Sequence, residues 1–186
     1  MSDSRRDVIV VGGGMVGAAS AALLARCGLS VSLVDASSPP AAFDPESEIG
    51  LRVSAISPGS AAVLDQVGAW QTIEARRSSP YRRMVVEDRV ATAAVEFEAA
   101  PFGLERLGTI VENDLVRRVL WDTLEGHALV ELRPATRLER LEQDADHVRV
   151  HLSDGTELSA RLLLGCDGAA SIVRRAVGVS SDAWDY

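Results

Sequence analysis

The stretch Asp7-Val8-Ile9-Val10-Val11-Gly12-Gly13-Gly14-Met15-Val16-Gly17 most constrains the fold, and it is followed by an alanine-rich segment and then by Val31-Ser32-Leu33-Val34-Asp35. A short apolar run suits a strand buried on both faces of a parallel sheet. Gly12, Gly14 and Gly17 carry the G-x-G-x-x-G spacing. The first allows a sharp turn, the second lets backbone approach a diphosphate, and the third lets helix and strand pack closely. A helix is predicted from Met15 to Cys27, with Gly17, Ala18, Ala21, Ala22 and Ala25 small enough to dock on a sheet. Gly28 suits the position just past its end. The free N–H groups and roughly half a positive charge at a helix start attract an anion. Asp35 ends the next strand, Ser30 to Val34, where a carboxylate accepts hydrogen bonds from an adenosine ribose and disfavours a 2′-phosphate. The order of strand, turn, helix, strand and acid therefore points to FAD or NAD rather than NADP.

Other readings of the same stretch are weaker. Val8 to Ala25 is 18 residues without a charge, preceded by Ser4-Arg5-Arg6, as in an export signal or a membrane span. Three successive glycines weaken such a helix, no ordinary small-x-small cleavage site appears in a suitable place, and the strand and Asp35 that follow fit the nucleotide pattern better. The net charge of −8 argues against non-specific nucleic-acid binding. All 19 basic residues are arginine, which excludes a lysine-bearing phosphate loop and a Schiff-base lysine. Cys27 and Cys166 form no C-x-x-C pair, which suits a reduced cytoplasmic setting without structural zinc. His147 and His151 lie in an alternating, strand-like segment. There they would stand roughly 13 Å apart, too far to share a metal, and read as solvent-facing.

Residues 36–50 read as an exposed loop, and Ser57 as the cap of a helix with Pro58 at its first position, running to about Val67. Trp70 to Arg76 adds a short helix, and Pro80 ends this region. Met84 to Glu87 and Ala93 to Glu98 read as strands, with Val95 and Phe97 alternating against Glu96 and Glu98. That pattern predicts one buried and one wet face, as in an antiparallel sheet inserted into the βαβ order. A long helix follows from about Asn113 to Glu125, with Leu115, Val116, Val119, Leu120 and Leu124 on one face. Strands are predicted at Ala128–Leu132, Arg137–Leu141, Val148–Leu152 and Leu158–Leu164, with a hairpin turn at Ser153-Asp154-Gly155-Thr156. The last strand runs into Gly165-Cys166-Asp167-Gly168 and a short helix from about Ala170 to Val177. An Asp-Gly turn there puts a carboxylate at the ligand-binding edge of an open α/β sheet, unless it only caps the helix. The expected fold class is α/β: a Rossmann-like βαβ domain with inserted antiparallel β-strands of a second domain.

These motifs together resemble the FAD-dependent aromatic hydroxylases of the p-hydroxybenzoate hydroxylase fold, and within them the ubiquinone-biosynthesis hydroxylases. The resemblance is carried by the Gly12–Gly17 turn with Asp35, by Arg52-Val53-Ser54-Ala55-Ile56-Ser57, by Pro80-Tyr81-Arg82-Arg83, by Gly108-Thr109-Ile110-Val111-Glu112-Asn113, and by Gly165-Cys166-Asp167-Gly168 with Arg174. It implies cofactor contacts from Gly12, Gly14, Met15, Val16 and Gly17 to the FAD diphosphate, and from Asp35 to the ribose. It implies further contacts from Arg52 and Asn113 to phosphates and ribitol, and from the Asp167-Gly168 motif. It implies a monooxygenase that uses NAD(P)H as co-substrate and O₂ to hydroxylate an aromatic or quinol substrate, a polyprenylated benzoquinol in ubiquinone biosynthesis. No catalytic acid, base or metal is needed.

The resemblance also implies an incomplete enzyme, because family members are longer and carry a later Gly-Asp motif and most of the substrate pocket beyond this point. The implied FAD-binding domain is residues 1–78 and 105–178, and residues 79–104 and 179–186 are fragments of an inserted substrate domain. A cytoplasmic location is expected, with the full-length enzyme peripheral at the inner membrane face and in contact with other ubiquinone-biosynthesis proteins. Two rivals share the opening turn: an NAD-dependent dehydrogenase and a non-catalytic dinucleotide-binding module.

Overall fold

In a computed structural model, which describes residues 5–87 and 94–182, the chain divides into two compact units. One comprises Met1–Ala41 with Leu120–Tyr186, the other Ala42–Val119. Ala93 and the final Trp184-Asp185-Tyr186 lie outside the described residues.

The first unit is built on a six-stranded sheet. Its strands are β1 (Arg6–Val11), β2 (Val31–Val34), β8 (Val130–Arg133), β9 (Leu138–Gln143), β10 (Val148–Leu152) and β11 (Glu157–Gly165), in the order β8-β2-β1-β11-β10-β9. The four strands β8, β2, β1 and β11 are parallel, and β10 and β9 continue the sheet antiparallel. β1 and β2 are joined through helix α1 (Met15–Arg26), which buries Gly17, Ala18, Ala21, Ala22 and Ala25. Small side chains on that stripe bring the helix close to the sheet, as the sequence predicts. Gly28 follows with φ +83°. Every residue of β2 is buried. Its one polar side chain, Ser32, donates Oγ to Glu131 at 3.0 Å and so escapes the cost of an unpaired buried hydroxyl. Beneath the antiparallel end of the sheet, Leu138, Val148, Val150, Leu152, Leu158 and Val173 form one cluster with Ile9, Val11 and Val34.

In the second unit, β3 (Val53–Ile56) and β4 (Ser78–Tyr81) flank β7 (Gly108–Glu112), both antiparallel to it. The strand at Ser78–Tyr81 was not expected, because Pro80 read as a terminator. β4 is an edge strand, where a missing N–H costs little. Helices α2 (Pro58–Gln66) and α3 (Trp70–Arg76) lie between β3 and β4 in the chain. Ser57 caps α2 by accepting from Ser60 N–H at 3.2 Å.

β5 (Arg83–Glu87) and β6 (Ala94–Glu98) form a two-stranded antiparallel ribbon. The expected buried face is absent from it: Val95 is 56% and Phe97 49% exposed, and all ten strand residues are exposed. The alternation gives the ribbon an apolar face, but two strands alone bring nothing to pack on it. A one-turn 3-10 segment at Ala100–Phe102 follows. Helix α4 (Asn113–Leu124) buries the expected residues Leu115, Val116, Val119, Leu120 and Leu124, and also Trp121. Helix α5 (Ile172–Ala176) is shorter than expected. Among the described residues, no helix is long and apolar enough to cross a membrane.

Candidate functional site

Gly12 to Gly17 leave the carboxyl end of β1, Asp35 leaves β2, and Asp167-Gly168 leaves β11. These strands are parallel neighbours, so the structure gathers all three features at the edge where open α/β sheets bind ligands. Each glycine of the turn has its own reason to lack a side chain. Gly12 has φ +106°, and a Cβ there would run into the Cys166 carbonyl. A Cβ on Gly17 would run into the Gly12 carbonyl. A Cβ on Gly13 would stand 2.6 Å from Trp121 Cζ2 and 2.8 Å from Asp35 Oδ2. At Gly14 nothing of the protein lies within 4 Å of a Cβ, and φ −70°, ψ −175° is a backbone any residue adopts. Protein crowding thus accounts for Gly12, Gly13 and Gly17, while Gly14 faces open space at the start of α1. Met15 and Val16 open that helix, and Val16 is 69% exposed.

Asp35 is buried, 8% exposed, and both its oxygens are engaged. Oδ2 accepts the Gly13 N–H, and Oδ1 accepts the Ser37 N–H at 2.6 Å. The acid expected to meet a ribose therefore first fixes the turn. Each carboxylate oxygen has a second lone pair, so these bonds do not exhaust it.

Asp167 is likewise engaged. Oδ1 accepts from Ser171 Oγ at 2.5 Å, and Oδ2 from Ile172 N–H at 2.6 Å and Val173 N–H at 3.2 Å. Burial works to raise its pKa, but the hydrogen bonds from Ser171, Val173 and Ile172 outweigh it and hold the carboxyl below its ordinary range. The helix-cap role is thus present. Gly168, at φ +80°, carries the chain from the strand end into α5. Cys166 beside it donates its N–H to the Val11 carbonyl at 2.7 Å. Burial, and then the neighbouring Asp167 charge, push its thiol pKa up, so it is a poor nucleophile.

Arg52 and Asn113 belong to the second unit. Asn113 N–H donates to the Arg52 carbonyl at 3.0 Å, and Asn113 Oδ1 accepts from Ser54 Oγ at 2.6 Å. Arg52 itself is exposed. The loop before it is held by two residues to which the sequence assigns no role. Glu112, 8% exposed, accepts from Gly50 N–H at 2.7 Å and pairs with Arg77 at 3.2 Å. Arg77 also donates to the carbonyls of Pro45 at 2.5 Å and Ser47 at 3.0 Å.

Trp121 was missed as well. At 100° per residue it falls roughly 60° beyond Leu124, just past the edge of the apolar face, yet it is only 1% exposed. Its Nε1 donates to the Gly13 carbonyl at 2.8 Å. A tryptophan on the polar flank of an amphipathic helix is the signal that was available. The histidines are half-buried rather than solvent-facing: His151 sits between Glu142 at 3.4 Å and Glu157 at 3.6 Å. Among the described residues, no group of three or more His, Cys, Asp or Glu could hold a metal ion.

A family model described as FAD binding domain matches residues 5–185. The chain is 38% identical over 186 residues to the 3-demethoxyubiquinol 3-hydroxylase of Escherichia coli (strain K12), covering all of this chain and 47% of that protein. It is 37% identical over 194 residues to the mitochondrial ubiquinone biosynthesis monooxygenase COQ6 of Xenopus tropicalis, covering 97% of this chain and 41% of that one. The chain therefore spans less than half the length of these relatives. Among solved structures, Pseudomonas aeruginosa PqsL in complex with 2-aminobenzoylacetate superposes with a TM-score of 0.76 at 26% identity, covering 98% of this chain and 48% of that chain.

Proposed function

From the premise that this chain belongs to the FAD binding domain family, we propose that it holds the ADP half of FAD at the carboxyl edge of the β1, β2 and β11 strands. One observation carries the placement. In a turn where every other glycine is required by protein packing, Gly14 alone opens onto free space at a helix start. The free N–H groups of a helix start favour an anion such as a diphosphate there. Gly12, Gly14, Met15, Val16 and Gly17 supply backbone to it, and Asp35 uses its remaining lone pairs on the ribose. The family resemblance alone assigns Arg52 and Asn113 to the phosphates and ribitol, and Asp167 with Gly168 shapes the second turn beside the first. In this reading the FAD-binding domain is residues 1–78 and 105–178, and residues 79–104 and 179–186 belong to an inserted substrate domain.

For the longer enzyme we propose an FAD-dependent monooxygenase. It hydroxylates an electron-rich ring, a polyprenylated benzoquinol, as the names of the E. coli and Xenopus relatives suggest. FAD, held by the Gly12–Gly17 turn and Asp35, would supply the redox chemistry that couples NAD(P)H and O₂ to ring hydroxylation, with water as the second product. This chain's residues orient the adenine end, and none acts as acid or base on the ring. An apolar polyprenyl substrate favours a cytoplasmic enzyme in peripheral contact with the inner membrane face, near other ubiquinone-biosynthesis proteins.

The visible spectrum of the purified protein tests the reading. Flavin bands that persist through gel filtration, released by denaturation as FAD, support it. Colourless protein that binds NAD supports a dehydrogenase instead. Protein that holds FAD but, extended to the relatives' length, oxidises no NAD(P)H supports a non-catalytic module.

A further inference from the structure

Gly13 is held on both sides. Its N–H donates to Asp35 Oδ2, and its carbonyl accepts from Trp121 Nε1 at 2.8 Å. Both partners are buried, at 8% and 1% exposure, so these bonds are shielded from competing water. The same two side chains leave no room for a Cβ on Gly13. Gly13 is the middle of the three successive glycines and lies outside the G-x-G-x-x-G positions. Its glycine is explained by Trp121 and Asp35 rather than by a ligand.

The Gly13 N–H belongs to the Gly12–Gly13 peptide and the Gly13 carbonyl to the Gly13–Gly14 peptide, so Asp35 holds the first plane and Trp121 the second. The Gly14 N–H lies in that second plane, anti to the Gly13 carbonyl, so the Trp121 bond sets where it points. Gly14 is the N-cap of α1 and makes no side-chain capping bond. The donors at that helix start are aimed only by backbone, and the backbone is aimed by Gly13.

We propose that Trp121 is a positioning residue for the dinucleotide turn: it holds the Gly13–Gly14 peptide, as Asp35 holds the peptide before it, and so pre-organises the Gly14 N–H toward the diphosphate. The inference rests on the placement of FAD argued above. It adds a helix from elsewhere in the chain to the machinery of that turn. Pre-organisation raises affinity by removing the cost of ordering the turn on binding.

The test uses the 186-residue chain. Trp121→Phe keeps an aromatic ring and removes the indole N–H. Its dissociation constant for FAD, measured by equilibrium dialysis, is expected to rise about fivefold to tenfold, the scale of one hydrogen bond. Unchanged affinity in a folded variant overturns the inference and leaves the FAD placement standing. Absence of FAD binding by the unmodified chain overturns both. A second readout needs no variant: the ¹⁵N–¹H resonance of the Trp121 indole, titrated with ADP. The resonance is expected to shift in step with ADP occupancy and to be protected from solvent exchange. An indole resonance unmoved at saturating ADP overturns the inference, because a tryptophan that only fills space would not sense the diphosphate.

Discussion

Val11 and Gly165 are register partners across β1 and β11, and that pairing sets the glycine turn and the Asp167-Gly168 turn side by side. The two motifs lie more than 150 residues apart in the chain, and the sheet makes them neighbours. Cys166 N–H seals the arrangement by bonding the Val11 carbonyl, and the Cys166 carbonyl occupies the space beside Gly12.

The glycines of the first turn are expected to separate by phenotype. Gly14→Val should fold, because its Cβ meets no protein atom, and should lose FAD retention by more than about tenfold. Gly17→Val should unfold the protein, because its Cβ collides with backbone. Gly13→Ala should cost about 1–3 kcal/mol by overpacking against Trp121. Thermal melts with equilibrium dialysis on each variant check this order, and retention unchanged in Gly14→Val would contradict the placement.

Asp35→Asn should be intermediate between the parent and Asp35→Ala. The amide can still accept from Ser37 through one oxygen, but its NH₂ cannot accept the Gly13 N–H. Asp35→Ala should weaken FAD and NAD, which carry an adenosine ribose, and leave FMN unaffected. Equal losses for FAD and FMN in parallel titrations would reject the ribose role.

Asp167 predicts an acid dependence of stability. Its folded pKa lies below the ordinary 3.8, so its contribution is present above that value and lost as pH falls through the lower folded value. Asp167→Asn removes this term. The gap in melting temperature between parent and variant should be full at neutral pH and narrow as pH falls below 3.8. A gap that stays constant down to pH 2 would show that the carboxylate charge is not what caps α5.

The loop before Arg52 should depend on Glu112. In Glu112→Ala the Gly50 N–H loses its acceptor and Arg77 loses its ion-pair partner. Hydrogen exchange at Gly50 should accelerate by about tenfold or more, the scale of a hydrogen bond to a charged group. Exchange unchanged at that amide would show that Arg77's bonds to the Pro45 and Ser47 carbonyls hold the loop alone.

The βαβ core was legible because its signals are local. The apolar strand, the small-residue stripe of α1 and the turn glycines each declare their environment within a few residues. The hairpin at Ser153–Thr156 was legible for the same reason, with Gly155 at φ +80°. What sequence reasoning missed depends on long-range partners. Trp121 lies 108 residues from the carbonyl it bonds, and Arg77 lies 35 from Glu112. β4 was hidden because proline at a sheet edge looks like proline at a strand end. The exposed faces of Val95 and Phe97 show the converse limit: alternation reveals which side is apolar, not whether anything covers it.

Competitive binding decides whether the turn grips the adenosine diphosphate. FAD bound to the 186-residue chain is titrated with ADP and, separately, with FMN, following release of the flavin. ADP is expected to displace FAD and FMN is not, because the grip is on the adenosine diphosphate. Displacement by FMN with indifference to ADP would contradict it.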